Sequence, residues 1–450
     1  MTRKDTVVIL VIIALMLLVR VPLAPYTSGS DIAQFAGFAD TFLRHHLCFY
    51  NYVAPGNSAS EGWPYSWPYV YGPGLILVLS PLRKLASSEV IHYYDENGYH
   101  VFIPSNWIVA TKSVFISFDV LSAVLVYLIL RHVGYNSKKA ALVTSLYAFN
   151  PVTIYISSIY GMFDQIPLFF FLAGIYLFYL DGTSSRGKLV GSFLIGLSVG
   201  FKPTFLIPFL AIFYDNLVYR KPVNAGILAS LLLGVIVLFT PFLVACPKSM
   251  ATLIETMFSN VKPTYTFPIS YDFNGISNLA TYIYEHTGRN LYPLITYWWI
   301  PTIILIAVEL FAYNNYRDAL VFSSTSYIIF MATYWRVNYQ YLVPAVAFTI
   351  IILSRLHGSR RIKALGLTYI SLIGLWYFMF PVSWWTHVHI LNPNTALWHA
   401  LDRFSLMIFN EEPYLLYSLI LTIVEYLLSI EVIIYMASSK VNMLTGEKWE

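Results

Sequence analysis

The residues able to do chemistry in this chain are few, and they lie at the edges of long apolar runs. Asp31 stands in Ser28-Gly29-Ser30-Asp31-Ile32-Ala33-Gln34-Phe35. A carboxylate there can serve a site at the membrane mouth, or Ser30 or Asp31 can cap the helix that starts here, with Gln34 at capping-box-like spacing. Asp164 and Gln165 occupy a Gly/Pro-bounded junction, Tyr160-Gly161-Met162-Phe163-Asp164-Gln165-Ile166-Pro167, as substrate contacts or as a cap. Lys202, in Gly200-Phe201-Lys202-Pro203, can meet a phosphate or the carbonyls freed by the proline. Arg336 opens Arg336-Val337-Asn338-Tyr339-Gln340-Tyr341; its guanidinium can fork onto an anion while Asn338, Tyr339 and Gln340 add hydrogen bonds, or it can snorkel to the interface. Tyr271-Asp272-Phe273-Asn274-Gly275 is a further polar patch. Lys112 and Asp119 share a helical face inside one apolar run, which points to a structural ion pair or to pairing with another run.

Positioning these groups falls to elements that must live in lipid. The chain has 450 residues, 58% hydrophobic and 11% charged, with a mean hydropathy of +0.63. Soluble domains are roughly a quarter charged, so the composition excludes a soluble globular protein and predicts an all-α polytopic membrane domain spanning residues 1–450. Runs of about 20 apolar residues suffice to cross a bilayer, and about twelve are expected. They include Thr6 to Ala24, Val70 to Leu85, Trp107 to Leu130, Ala140 to Tyr160, Ile166 to Leu180 and Leu189 to Phe213, and they end with Tyr414 to Ala437. With Arg3 and Lys4 inside, alternation places Arg83/Lys84, Arg220/Lys221, Arg317, the cluster Arg355 to Lys363 and both termini on the cytoplasmic side. Two basic segments, Arg131 to Lys139 and Arg186 to Lys188, then fall outside, and Asp164 falls inside. The net charge of +4 is scattered, with no basic run for nucleic acid.

Two outer segments are long, residues 25–69 and 246–290, as loops that carry function often are. In the first, Ile32, Phe35, Ala36, Ala39, Phe42 and Leu43 form a helical stripe. With Asp40, Thr41, Arg44 and His45 opposite, this helix is expected to lie flat in the membrane interface. Trp63-Pro64-Tyr65-Ser66-Trp67-Pro68-Tyr69 follows as an extended aromatic stretch, suited to stacking on a sugar or to the interfacial belt. Cys48 and Cys246 fall on the same side, where a disulfide and two ordinary apolar cysteines both fit.

The order of several short motifs resembles the GT-C superfamily of membrane glycosyltransferases, above all the catalytic subunit of glycosylphosphatidylinositol mannosyltransferase I and its prokaryotic relatives. The segments that carry the likeness are Ser30-Asp31-Ile32 through Asp40, Phe118 to Ala123, Asn150-Pro151 with Ser157, Ser158 and Gly161, Gly196 to Pro208, and Arg336 to Pro344. The resemblance implies a GT-C-like fold with interfacial helices in the first outer loop and a catalytic role for Asp31 on the outer or lumenal face. The family pattern has a second acidic residue where this chain has Ala33, so a metal-binding pair is not carried over. No cofactor is called for, and a divalent metal stays an open alternative.

A donor of this class leaves as an anionic phosphate and needs no general acid. It needs a cation beside the phosphate and a base for the acceptor hydroxyl. The resemblance therefore implies Asp31 as base, Arg336 and Lys202 as phosphate ligands, and Gln34, Asn338, Tyr339, Gln340, Asp164, Gln165, Asp272 and Asn274 as further substrate contacts. The reaction expected is inverting transfer of a hexose, mannose by the family's suggestion, from a polyprenyl-phosphate sugar to a lipid-linked or surface glycan acceptor. Partners would be the donor, the glycan or lipid acceptor and membrane lipid; whether a small membrane subunit is also needed, as in the eukaryotic relative, stays open. A transporter or flippase for a lipid-linked sugar is the competing class, although the paired halves common in transporters are not visible.

Overall fold

The computed structural model describes residues 2–96, 98–180, 184–219, 224–261, 275–356, 358–379, 389–390, 400, 403–404, 407 and 411–439. It is overwhelmingly helical. Helix α1 (Arg3–Arg20) starts where Thr2 and Asp5 form a reciprocal capping box, and with the short turn that follows it reaches Tyr26. Helix α4 (Ser105–His132) begins just after Pro104 and contains neither Gly nor Pro. These two and residues 412–438 are long and apolar enough to cross a membrane. Helix α5 (Ser137–Ala148) and the stretch Pro151–Tyr160 make one further span if the bend of 57° between them is bridged. The bend has a local cause: Pro151 has no N–H to continue the ladder, and the Asn150 side chain caps the new start by accepting from the Val152 N–H at 3.1 Å. Helices α6 (Pro151–Ile154), α7 (Gln165–Ile175), α8 (Ser185–Phe201), α9 (Leu206–Tyr214), α10 (Ala225–Ile236), α11 (Thr240–Ala245), α12 (Pro247–Val261), α13 (Ile276–Thr287), α14 (Tyr292–Thr296), α15 (Trp299–Tyr316), α16 (Ala319–Thr333), α17 (Leu342–Arg355) and α18 (Arg360–Met379) are mostly shorter, and α19 (Glu411–Ser438) follows them. The chain is thus a multi-pass membrane protein, and a count of twelve spans is not shown.

Two departures from the expected alternation compensate each other. Helices α1 and α4 run antiparallel: Asp5, at the start of α1, pairs with Arg131 at the end of α4 (2.6 Å), while Lys112 near the start of α4 reaches Ala24 and Thr27. An even number of crossings must therefore separate them, and a single crossing by the run Val70 to Leu85, which folds as α3 (Pro73–Leu85), does not fit. Its 13 residues stay on the Ala24 side. Arg83 forks onto Asp40 of helix α2 (Ser30–His45) at 2.8 and 2.9 Å and lies 5.5 Å from the centroid of the Trp107 ring, at the start of α4 and away from Asp5. The second departure is the run Leu189 to Phe213, which folds as two legs, α8 and α9, because Pro203 ends the first at Lys202. Together these changes invert only the stretch between them. Arg131 and Ser137 join Asp5, and Asp164 moves to the side of Asp31.

The polar side of helix α2 is engaged within the protein, although Arg44 and Asp40 stay partly exposed. Most of it is buried, Thr41, Arg44 and His45 all converge on Glu61, and Asp40 is taken by Arg83. Lys112 and Asp119 do not pair with each other. Asp119 holds Arg20 of α1 at 2.6 Å, a charge inside a span, and also accepts from Tyr147. The Lys112 ammonium is enclosed by oxygens of Ala24, Thr27, Ser158 and Ile159. Cys48 and Cys246 are joined in a disulfide, with Cα atoms 5.2 Å apart, which settles the alternative left by the sequence. A small sheet interrupts the all-α pattern: β1 (Ile91–Asp95) and β2 (Gly98–Phe102) form an antiparallel hairpin, and β3 (His389–Ile390) runs parallel to β2.

Candidate functional site

Asp31 is set by a loop packed flush against an aromatic ring. Gly29 is the N-cap of α2, and neither Ser30 nor Asp31 caps it with a side chain, contrary to the capping alternative. A Cβ at Gly29 would stand 2.4 Å from the Tyr160 ring, so only glycine lets its N–H reach the Tyr160 carbonyl at 2.7 Å. That contact places the Tyr160 hydroxyl to donate to the Asp31 carboxylate, with Ser30 Oγ 3.2 Å from the same hydroxyl. Tyr160 ends a π-helical turn, Tyr155–Tyr160, which Gly161 stops at φ 89°. Asp31 is thereby held with its carboxyl pushed up to about 6, first by burial, against the opposing pull of the Tyr160 hydrogen bond and the Lys202 charge.

The second cluster lies deeper. Lys202 Nζ meets Asp164 Oδ1 at 2.5 Å, both side chains almost wholly buried, and it sits 4.2 Å from the centroid of the Tyr341 ring. The lysine thus meets a carboxylate, a partner that neither alternative read from the sequence, phosphate or freed carbonyls, had named. The second oxygen of Asp164 and both amide atoms of Gln165 are buried without a hydrogen-bond partner among the described residues, a rare condition in native interiors. Lys202 and Asp164 both act electrostatically on Asp31, with opposite signs.

Arg336 is half-buried at the end of α16, 5.9 Å from the centroid of the Trp335 ring, and its charge reaches Tyr341. Tyr339 packs edge-on against Tyr160 at 5.0 Å, so the Arg336 to Tyr341 loop closes over the Asp31 pair. Buried oxygens of Asn338 and Gln340 have no hydrogen-bond partner among the described residues. Gln34 is spent otherwise: its amide bonds the backbone of Tyr65 and Trp67 through three contacts of 2.9–3.2 Å, fixing the aromatic stretch that follows α2. Asp272 and Asn274 lie outside the described residues.

The structure therefore brings Asp31, Asp164, Gln165, Lys202 and the Arg336 to Gln340 loop to one side and one neighbourhood. Tyr160 was missed in the sequence, where one tyrosine among 36 carries no signal. Arg20, Glu309 and Glu425 were missed as well, although each is an ionisable group inside an apolar run and could have been found by that test.

Residues 70–204 match the family model of the dolichyl-phosphate-mannose-protein mannosyltransferases. The matched stretch contributes Tyr160, Asp164, Gln165 and Lys202 to the site and leaves Asp31 and Arg336 outside it. The match does not extend to the glycosylphosphatidylinositol branch that the short motifs resemble. Among solved structures, the chain is similar to the S. cerevisiae protein O-mannosyltransferase Pmt1-Pmt2 complex bound to the sugar donor, at 15% identity and a TM-score of 0.33. That alignment covers 57% of this chain and 34% of the other, so the chain spans about a third of its relative's length. No curated protein matches.

Proposed function

We propose that this chain is a membrane mannosyltransferase that moves mannose from a polyprenyl-phosphate donor, of the dolichyl-phosphate type, to a glycan or lipid-linked acceptor on the outer or lumenal face. One observation carries the reading. Asp31 takes the hydroxyl of Tyr160, Lys202 pairs with Asp164 a few residues further along the chain from that tyrosine, and the family match covers Tyr160, Asp164 and Lys202.

In this reading Asp31 accepts the acceptor hydroxyl's proton as that oxygen attacks the anomeric carbon. Arg336 and Lys202 meet the departing phosphate, Lys202 while paired with Asp164. Asp164 is tied to Lys202 and is not placed as a nucleophile, which favours a single displacement with inversion. Asn338, Gln340 and Gln165 offer the unpaired polar atoms that a sugar's hydroxyls require.

Two features support an orientation with the termini in the cytoplasm. The Cys48–Cys246 disulfide lies on the side of the site and belongs to an oxidising compartment. The basic residues Arg131, Lys138, Lys139, Arg186, Lys188, Arg317 and Arg355 gather on the opposite side. The test is reconstitution of the purified chain in liposomes with polyprenyl-phosphate mannose. Release of polyprenyl phosphate with a new mannosidic bond is the expected result. Movement of the intact donor across the bilayer without bond formation would overturn the enzyme reading. Arg336→Ala is expected to raise the donor KM about tenfold, the scale of one charge-assisted contact.

A further inference from the structure

A run of aromatic rings leads away from Asp31 to the exposed surface of the protein. Its first member is Tyr65, whose phenol feels the Asp31 charge. Trp67 stacks on Tyr65 with centroids 4.5 Å apart and planes 11° apart, and is 38% exposed. Tyr65 continues to Tyr99 of β2 at 6.0 Å, and Tyr99 to its cross-strand partner Tyr94 at 4.6 Å. Tyr94 is 80% exposed. The ridge is anchored from below: Gln34 of the Asp31 helix pins the backbone of Tyr65 and Trp67, and Tyr99 donates to the Pro64 carbonyl.

Membrane-interface aromatics sit with their apolar bodies against lipid. The surroundings of Tyr94 do not suit that role, because Asp95 and Glu96, the next two residues of the same hairpin, are exposed. Those carboxylates also disfavour anionic ligands such as phospholipid headgroups. What remains is a hydroxyl-rich neutral ligand whose flat faces stack on rings and whose hydroxyls donate to carboxylates.

We propose that Trp67, Tyr65, Tyr99 and Tyr94 form an acceptor-binding ridge for an extended neutral oligosaccharide, with the end to be modified at Asp31 and the older part of the chain running towards Tyr94. This deepens the mannosyltransferase reading and rests on it only for which end of the glycan is modified. It assigns the acceptor class as a glycan of several units rather than a single lipid-linked sugar.

The experiment is calorimetric titration of the purified full-length chain, without donor, using mannobiose and mannohexaose. The hexasaccharide is expected to bind about tenfold more tightly than the disaccharide, on the scale of one added stacking contact. Tyr94→Ala is expected to erase that advantage, and Tyr94→Phe, which keeps the ring, to retain it. Tyr94 is solvent-facing, so both variants should fold, and an unchanged gel-filtration profile checks this. Equal affinity for the two sugars, or a Tyr94→Ala protein that still prefers the longer one, would overturn the ridge. So would a lysine-rich peptide binding in the place of mannohexaose, which would make the acceptor a protein. A wild-type chain that consumes donor in liposomes yet fails to bind mannohexaose defeats the ridge alone. One that binds mannohexaose yet consumes no donor defeats the enzyme reading alone.

Discussion

Replacing Asp31 by Asn separates chemistry from fold at a single atom. Asn keeps an oxygen for the Tyr160 hydroxyl, so the local geometry has no reason to change. It removes a carboxyl whose pKa the protein raises from 3.8 to about 6. A shift of about two units, at about 1.4 kcal/mol each, means that ionised Asp31 costs the folded state up to about 3 kcal/mol relative to the unfolded chain. The sign follows from proton counts. Between about pH 4 and 6 the folded state holds the proton and the unfolded chain has lost it, so this group makes stability fall as pH rises through that window and leaves it low above 6. Asp31→Asn removes the penalty. The variant is therefore expected to melt higher than wild type at pH 7.5, by on the order of 2–5 °C, with a flatter stability profile between pH 4 and 6. Its transfer rate should nonetheless fall by about 10²- to 10⁴-fold, the usual worth of a general base. Mannose transfer in proteoliposomes across pH 5–8, beside thermal melts in detergent, measures both. Wild-type kcat/KM should climb through about pH 6 and level off above it. A variant with near-normal turnover, or a wild-type rate that is flat from pH 5 to 7, would refute the assignment of Asp31 as base.

Tyr160→Phe removes the hydrogen bond that lowers the Asp31 pKa, so the acid limb of the pH–rate profile should move to higher pH, with activity at pH 6 lost first and largely regained at pH 8. Gly29→Ala should reproduce this shift by pushing the Tyr160 ring aside. Arg20→Met or Asp119→Leu alone leaves a buried charge unpaired and should cost about 3–5 kcal/mol, read as loss of monodisperse protein in detergent, while the double variant should recover much of it. Cysteines placed at Ser137 and Asp95 should differ in labelling by an impermeant maleimide on intact cells, with Asp95 reactive and Ser137 protected.

What the sequence disclosed best was which charges the fold would gather. Asp31, Asp164, Lys202 and Arg336 stand out because lipid makes every unneeded charge costly, and the structure gathers all four on one side. The errors lay in counting crossings. Val70 to Leu85 was read as a span although its helix keeps only 13 residues and begins with Pro73, a length better suited to an interfacial or buried helix. Lys202-Pro203 was recognised as a break, but α8 and the short α9 were joined into one run because a hydropathy window cannot tell a kink from a reversal. Each error hid the other, since the two together restore the parity of everything downstream. Pairing over long separations, such as Arg20 with Asp119 or Tyr160 with Asp31, has no local signal at all.

The disulfide acquires a meaning from that parity. Cys48 and Cys246 are 198 residues apart, and the stretch between them contains the reversal at Lys202-Pro203. Were α8 and α9 to enter the bilayer as one straight segment, the chain would make one crossing fewer and Cys246 would emerge on the opposite face from Cys48. No oxidant could then join them. The bond therefore forms only in a chain that has turned back at Lys202, with the lysine left where Asp164 can reach it, and the oxidised fraction of a preparation reports how many molecules were threaded correctly.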